Sequence, residues 1–183
     1  MVLRAEHERY GAVAIKVRRA DSKRDSLVME CELMRLASPV APKPLYCSKD
    51  FIVMEYVDGH TLNRYVEMIR SCREAVTLVL KVIAVARWLD VIGISHKELS
   101  TPERHVIVTP NGRVKVVDYE TAYRGFKCNV CKVVSWLILR KGLLRRFCNY
   151  AGGEGIVSYV RRYKDGDVEG YTDLLNTLTK LLR

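Results

Sequence analysis

The stretch "VKVVDYETA" (residues 114–122) ends an apolar run at a carboxylate and then continues with polar residues. Its valines favour a β-strand, which puts Asp118 at the carboxyl end of that strand. An acid in this position has two interpretations. It can cap a turn, or it can be held at the strand end to bind a metal ion. The surrounding sequence has to distinguish between them.

The segments around this stretch predict a mixture of strands and helices. Asn-Gly within "TPNG" joins the β-branched runs Val106–Val108 and 113–117, which predicts a tight hairpin. Other strands are predicted at Val2–His7, at 11–19 and on both sides of a turn at 48–50. Apolar residues at helical spacing predict helices over 22–37, 62–70, 73–91, 129–140, 155–162 and 168–182. The pattern changes near 58–61, which is the best boundary between two lobes.

The composition indicates a globular protein without a membrane segment. The chain has 183 residues and is 49% hydrophobic, enough for one domain or two small lobes with a core. The longest apolar run, 76–94, contains Lys81, Arg87 and Asp90, so it predicts a buried helix and not a membrane span. The first residues have no secretory pattern, which predicts a cytoplasmic location.

The cysteines predict structural thiols. Of the six cysteines, only Cys128 and Cys131 form a C-x-x-C pair. A zinc site would need a second pair or histidines at ligand spacing, and the sequence has neither. We therefore expect buried thiols and no metal or redox site. Scattered free thiols would fit a reducing cytoplasm.

The net charge of +10 predicts attraction to polyanions. The basic residues cluster at 16–24, 139–146 and 160–164. Such a surface could bind nucleotides, RNA or a ribonucleoprotein. The alternatives are a merely solvated basic face and the high lysine and arginine content of a thermophile. Charge alone does not separate them.

Four segments follow one another in an order that resembles the protein-kinase-like superfamily. They are "VAIK", ending at Lys16, then "FIVMEYVDG", "SHKEL" and "VVDYE". Over residues 2–121 the chain resembles in particular the small, atypical archaeal Ser/Thr kinases of the RIO and lipopolysaccharide-kinase-like group. The resemblance implies an α+β, two-lobed fold. The N-lobe, 1–59, would hold a truncated antiparallel sheet, a helix and the hinge. The C-lobe, 60–183, would be mostly helical and would hold the catalytic loop and the metal-binding hairpin.

The resemblance also implies an ATP site. Lys16 would contact the phosphates and would be held by Glu30 on the next helix. Glu32 is the alternative partner, but it points to another side of that helix. Met54 would border the back of the pocket. The hinge residues whose backbone would contact adenine are Glu55, Tyr56 and Val57.

The resemblance gives Asp118 a metal-binding role. It would bind Mg²⁺, which bridges the nucleotide phosphates. His105 takes the place of the family's second metal ligand, an asparagine, after an insertion. Histidine suits Mn²⁺ or a water-mediated contact better than Mg²⁺, so Glu103 is an alternative ligand. Glu120 replaces a family glycine and could either help bind the metal or be exposed.

The catalytic loop "HKELSTPERH" departs from the family pattern. Glu98 stands in place of an aspartate, and it would orient the acceptor hydroxyl and accept its proton. His96 belongs to the same catalytic motif, and we expect it to hold the loop by hydrogen bonds. The family's glycine-rich phosphate loop is missing before the first strand. That loop either lies upstream of Met1 or has been lost.

Together these features predict an ATP-dependent phosphotransferase that acts on a Ser/Thr hydroxyl of a protein, including its own. The missing asparagine and glycine-rich loop leave an alternative, a pseudokinase whose basic surface binds RNA or a ribonucleoprotein. A second alternative is a small-molecule kinase, since the C-terminal part is short for holding peptides. The loop containing His96 and Glu98 favours the enzyme.

Overall fold

The fold combines antiparallel sheets with helices, which is compatible with the α+β class. A computed structural model describes residues 1–19 and 26–182. The strands in this part of the chain are β1 Val2–His7, β2 Gly11–Val17, β3 Pro44–Cys47, β4 Phe51–Glu55, β5 His60–Thr61, β6 Ile94–Ser95, β7 Val106–Val108, β8 Val114–Val116 and β9 Tyr123–Arg124. The helices are α1 Val28–Leu36, α2 Leu62–Met68, α3 Cys72–Val91, α4 Asn129–Val134, α5 Leu143–Cys148, α6 Gly153–Lys164 and α7 Val168–Lys180.

The first part of the chain forms a four-stranded antiparallel sheet in the order β1-β2-β4-β3. Lys16 lies on the inner strand β2, opposite Val2 on one side and Ile52 on the other. Helix α1 buries Glu30, Cys31, Leu33 and Met34, a spacing that places all four on one helical face. This sheet and α1 therefore position Lys16 and Glu30.

A second sheet contains the hairpin that was predicted around "TPNG". Its order is β5-β7-β8, and the register pairs Val106 with Val116 and Val108 with Val114. Gly112 in the turn has φ +73°, a conformation that favours glycine. The Val117 N–H donates to the His105 carbonyl at 2.8 Å. The hairpin thereby places Asp118 beside the residues that precede β7.

The helical part is built around α3. This helix spans 20 residues, and the Ser71 hydroxyl caps it by accepting the Glu74 N–H at 3.2 Å. Asp90 near its end accepts the N–H groups of Asn129 and Val130, at 2.7 and 3.2 Å, and so caps α4. Burial raises the pKa of Asp90, although these hydrogen bonds oppose the shift. None of the described helices combines the length and hydrophobicity needed to cross a membrane.

Most predicted elements occur, with differences at their ends. The helix predicted over 129–140 is α4 followed by a π-helical segment, Ser135–Arg140. Helix α5, the two-residue strands and the short 3₁₀ turns were not predicted, because elements this short carry little periodicity. The helix predicted over 22–37 begins at Val28, and residues 22–25 lie outside the described chain. Part of the basic cluster 16–24 lies outside it as well.

The expectation of free thiols is wrong. All six cysteines are paired, as Cys31–Cys47, Cys72–Cys148 and Cys128–Cys131. The packing of α1 on β3 and of α3 on α5 brings together cysteines that are 16 and 76 residues apart in sequence. The thiols therefore do not support a reducing compartment. A cytoplasmic location stays a prediction from the N-terminal sequence.

The cysteine pairing predicts the number of reactive thiols. The protein denatured without reductant should have no reactive thiols, and after reduction all six cysteines should react. Cys72→Ala should expose one reactive thiol without reductant, because Cys148 loses its partner. The measurement is titration with a chromogenic disulfide under denaturing conditions. Six reactive thiols in the unreduced wild-type protein would contradict the pairing.

Candidate active site

Lys16 is surrounded by three carboxylates. Its Nζ donates to Glu30 Oε1 at 2.8 Å, to Asp118 Oδ1 at 2.8 Å and to Glu120 Oε2 at 3.2 Å. The Lys16 side chain is 9% exposed and that of Glu30 is 2% exposed. An ammonium group has three donors, so this arrangement uses its full hydrogen-bonding capacity. Glu30, and not Glu32, is the helix carboxylate that contacts the lysine.

The charges of this cluster are coupled. Burial by itself would lower the pKa of Lys16, but the Glu30 and Asp118 carboxylates outweigh it and the pKa is raised. Burial raises the pKa of Glu30 against the opposing effect of Lys16. Burial would also raise the pKa of Asp118, yet the Lys16 ammonium holds it below its usual value. With its carboxylates ionised, the cluster has more negative than positive charge, which favours a bound cation.

Asp118 reaches this cluster through an unusual backbone conformation. Its φ is +66° and its ψ is 70°, in the left-handed region that aspartate tolerates better than most residues. A short 3₁₀ turn, Tyr119–Thr121, follows. The turn buries Tyr119 and returns Glu120 to Lys16. The side chains of Asp118 and Glu120 are each 44% exposed, so a ligand can reach them.

A cavity of about 400 Å³ opens beside this cluster. Its apolar lining residues are Ala14, Met34, Pro42, Met54, Ile107 and Val117. Its polar and charged lining residues include Lys16, Glu30, Arg104, His105, Asp118 and Glu120. The predicted hinge residues Glu55, Tyr56 and Val57 also line it. The structure therefore brings all six predicted nucleotide-binding residues to one cavity, whose volume is typical of small-molecule sites.

The hinge residues differ in the backbone groups that they offer. The Glu55 N–H donates to the Lys43 carbonyl at 2.8 Å, so this amide is already used. The Glu55 carboxylate accepts from Lys115 Nζ at 3.0 Å. The backbone groups of Tyr56 and Val57 make no hydrogen bond with the described chain. These two residues can therefore offer backbone donors and acceptors to a ligand in the cavity.

Glu98, His105 and Asp118 lie next to one another. Glu98 Oε1 accepts a hydrogen bond from the Thr121 hydroxyl at 2.8 Å. His105 Nε2 lies 3.7 Å from Glu98 Oε2, and His105 Nδ1 lies 3.9 Å from Asp118 Oδ2. Glu98 thus already holds a hydroxyl group, which is the interaction expected of a residue that orients an acceptor.

The predicted metal ligands are only partly brought together. His105 lies beside Asp118, but Glu103 pairs with Lys141 at 3.3 Å and does not line the cavity. Among the described residues, no three acidic, histidine or cysteine side chains are placed to hold a metal unaided. Mg²⁺ commonly takes one or two carboxylates and completes its shell with phosphates and water. The carboxylates of Asp118 and Glu120 fit that requirement.

His96 lies in the core, and its ring does not line the cavity. The backbone N–H of His96 donates to Asn129 Oδ1 at 3.0 Å, and its backbone carbonyl accepts from Lys132 Nζ at 3.0 Å. Both ring nitrogens are buried without a hydrogen-bond partner among the described residues, and the ring packs edge-on against Tyr119. The backbone groups of His96 thus hold the loop; the backbone of Val117 also lies near the imidazole and favours its protonated form, so the role expected of the ring stays a prediction. Burial and the nearby His105 lower the pKa of His96 to about 4.

Sequence reasoning missed two residues of this region. Arg104 lines the cavity, and its position next to His105 was the only available signal. Asn129 is fully buried and bonds the backbone at both Ile94 and His96. It lies 33 residues from His96 in sequence, so nothing in the local pattern pointed to this role.

Comparison with known proteins gives one distant similarity. No family model matches the chain. The chain is similar to the probable serine/threonine-protein kinase PknB of Lactococcus lactis subsp. lactis (strain IL1403), with 29% identity over 122 residues. The alignment covers 60% of this chain and 19% of that protein, so the chain matches about a fifth of its relative's length. The similarity supports a protein-kinase-like relationship.

Burial of His96 predicts a loss of stability in mild acid. Its pKa is about 4 in the folded state and 6.5 ordinarily, so the unfolded chain binds a proton first as the pH falls. The stability that depends on neutral His96 is fully present above pH 6.5 and is lost as the pH falls through 4. The loss amounts to roughly 3 kcal/mol of unfolding free energy. The measurement is urea unfolding between pH 7 and 4 for the wild type and for His96→Leu.

Comparing the wild type with His96→Leu isolates the effect of this histidine on stability. Other groups, such as Glu30 with its raised pKa, affect both proteins equally. The wild type should lose more stability than His96→Leu across this window. Equal slopes would show that His96 is not buried in its neutral form.

Proposed function

We propose that this chain is a protein-kinase-like phosphotransferase that binds ATP with a divalent cation and phosphorylates a Ser/Thr hydroxyl of a protein. The observation that carries the proposal is the contact of Lys16 with Glu30, Asp118 and Glu120 in a cavity that apolar side chains also line. In this proposal residues 1–59 and 60–183 are the two lobes. The partial similarity to a probable serine/threonine-protein kinase supports the same class.

The cavity suits a nucleotide in its volume and in its mixed apolar and charged lining. A purine would lie between Ala14, Met54 and Ile107 and would use the free backbone groups of Tyr56 or Val57. Lys16 would then contact the phosphates. The ammonium is already held by Glu30, so it would present a fixed charge with little further loss of freedom.

Asp118 and Glu120 would hold the divalent cation. When bound, Mg²⁺ or Mn²⁺ neutralises the charge of the phosphates and fixes their orientation. The two carboxylates share Lys16 in the protein described here. On nucleotide binding, the carboxylates of Asp118 and Glu120 would leave the Lys16 ammonium and contact the metal. Lys16 would then contact phosphate oxygens in their place. His105, 3.9 Å from Asp118, would orient that carboxylate.

Glu98 would orient the acceptor. Its carboxylate accepts a hydrogen bond from the Thr121 hydroxyl at 2.8 Å. A substrate hydroxyl would take the place of the Thr121 hydroxyl and would lose its proton to Glu98 during phosphate transfer. The alternative of a non-catalytic RNA-binding module rests on the basic clusters of the sequence and on the missing asparagine and glycine-rich loop. The charge of Lys141, within the basic residues 139–146, is already paired with Glu103. Phosphotransfer is therefore the better-supported function.

Two substitutions test the separate roles of metal binding and hydroxyl orientation. Asp118→Asn keeps a residue that tolerates the left-handed backbone but removes the charge. It should abolish the metal-dependent part of the rise in melting temperature that ATP causes. Glu98→Gln should keep that rise but lower phosphate transfer by about 10²-fold, the scale of a lost general base. The measurements are thermal unfolding with ATP and Mg²⁺ or Mn²⁺, and transfer of labelled γ-phosphate.

The matched control is Glu32→Gln. Glu32 lies on the same helix as Glu30 but is exposed and does not contact Lys16. It should behave like the wild type, whereas Glu30→Gln should weaken nucleotide binding. A wild type that shows no ATP-dependent shift at millimolar nucleotide would contradict the proposal. So would transfer that is unaffected by Glu98→Gln.

A further inference from the structure

A second open cavity lies beside the candidate active site. Its volume is about 440 Å³, and it is lined by Thr61, Asn63, Arg64, Glu103 and Arg104. Thr61 ends β5 and is the N-cap residue of α2, Asn63 and Arg64 lie in the first turn of α2, and Glu103 and Arg104 precede β7. The Asn63 N–H donates to the Glu103 carbonyl at 3.2 Å, so the two walls are joined. We call this cavity the α2 groove.

The α2 groove has free positive charge. Arg64 and Arg104 are exposed, and neither makes an ion pair or a side-chain hydrogen bond with any described residue. Arg162, in contrast, is paired with Asp167 and Asp173. The acid in the groove, Glu103, is already paired with Lys141 at 3.3 Å. Two guanidinium groups therefore remain to bind anions, and their planar donors match carboxylates and phosphates.

The groove adjoins the residues proposed to carry out the chemistry. Arg104 lines both the α2 groove and the nucleotide cavity. The next residue, His105, lies 3.7 Å from Glu98 and 3.9 Å from Asp118. A hydroxyl held at Glu98 would thus have the groove next to it. The residues that flank this hydroxyl in a peptide would extend toward Arg64.

We propose that the α2 groove binds the acceptor and selects a serine or threonine within an acidic peptide segment, whose carboxylates contact Arg64 and Arg104. This inference rests on the proposed phosphotransfer function and adds its substrate class. A basic segment would be repelled by the same two arginines.

The lining favours a peptide over RNA. Single-stranded RNA is usually held by bases that stack on aromatic side chains. None of the described residues that line the groove is aromatic. The Thr61 hydroxyl and the Asn63 amide instead offer hydrogen-bonding groups between the charges, which suits peptide backbone and carboxylates. The volume also exceeds what a single carboxylate or phosphate group needs.

The test uses three peptides of equal length with one central serine, flanked by glutamate, glutamine or lysine. Binding is measured by fluorescence anisotropy without nucleotide, and phosphate transfer is measured separately with ATP and Mg²⁺. The acidic peptide should bind about tenfold more tightly than the neutral peptide, and the lysine peptide should bind least. Arg64→Glu should remove the preference for the acidic peptide, and Arg64→Gln should weaken it.

The matched control is Arg161→Glu. Arg161 is an exposed arginine on α6, away from the lining of both cavities. It should leave the peptide preference unchanged, which separates a local effect of Arg64 from the change in net charge. Melting temperatures of all variants establish that they are folded.

The outcomes distinguish the groove from the phosphotransfer proposal. If the acidic peptide binds in an Arg64-dependent way but receives no phosphate, the groove is upheld as a site for acidic peptides and the phosphotransfer proposal is contradicted. Equal binding of the three peptides, or an equal loss in Arg161→Glu, would overturn the inference. An oligouridylate that displaces the peptide and binds Arg64-dependently with higher affinity would overturn it in favour of RNA.

Discussion

The arrangement of the candidate site depends on one buried ammonium group. Lys16 on β2 holds Glu30 of α1 and the two carboxylates that follow β8. A charge that is removed from water must be paired, so these three parts of the chain have to meet at one point. Removing the lysine would leave Glu30, 2% exposed, without its counter-ion. Because Glu30 is followed by Cys31, which is bridged to Cys47 on β3, α1 is fixed to the sheet by an ion pair and by a covalent bond.

The charge balance of this cluster connects structure to function. Three carboxylates around one ammonium leave negative charge at the mouth of a cavity, where Asp118 and Glu120 are partly exposed. This is a poor place for phosphates alone and a good one for phosphates that carry a divalent cation. Further positive charge lies on Arg104, which lines both this cavity and the α2 groove, and on Arg64 within the groove. Nucleotide and acceptor would therefore meet from two sides of Asp118 and Glu98.

The sequence predicted the local elements well and the long-range contacts unevenly. Asn-Gly between β-branched runs was sufficient for the β7–β8 hairpin, because turn chemistry is local. The pairing of Lys16 with Glu30 followed from the resemblance to kinases, since no periodicity connects a strand residue to a helix residue. The pairs Cys31–Cys47 and Cys72–Cys148 could not be predicted, because they depend on how α1 packs on β3 and α3 on α5. The same holds for Glu103, which pairs with Lys141, and for the burial of the His96 ring.

The most direct test of this account is a crystal structure with a non-hydrolysable ATP analogue and Mn²⁺. Anomalous scattering would locate the metal independently of the protein chain. We expect a manganese peak in contact with the Asp118 carboxylate, the triphosphate against Lys16, and the base beside the backbone of Tyr56 and Val57. A nucleotide bound outside this cavity, or a manganese ion that does not contact Asp118, would contradict it.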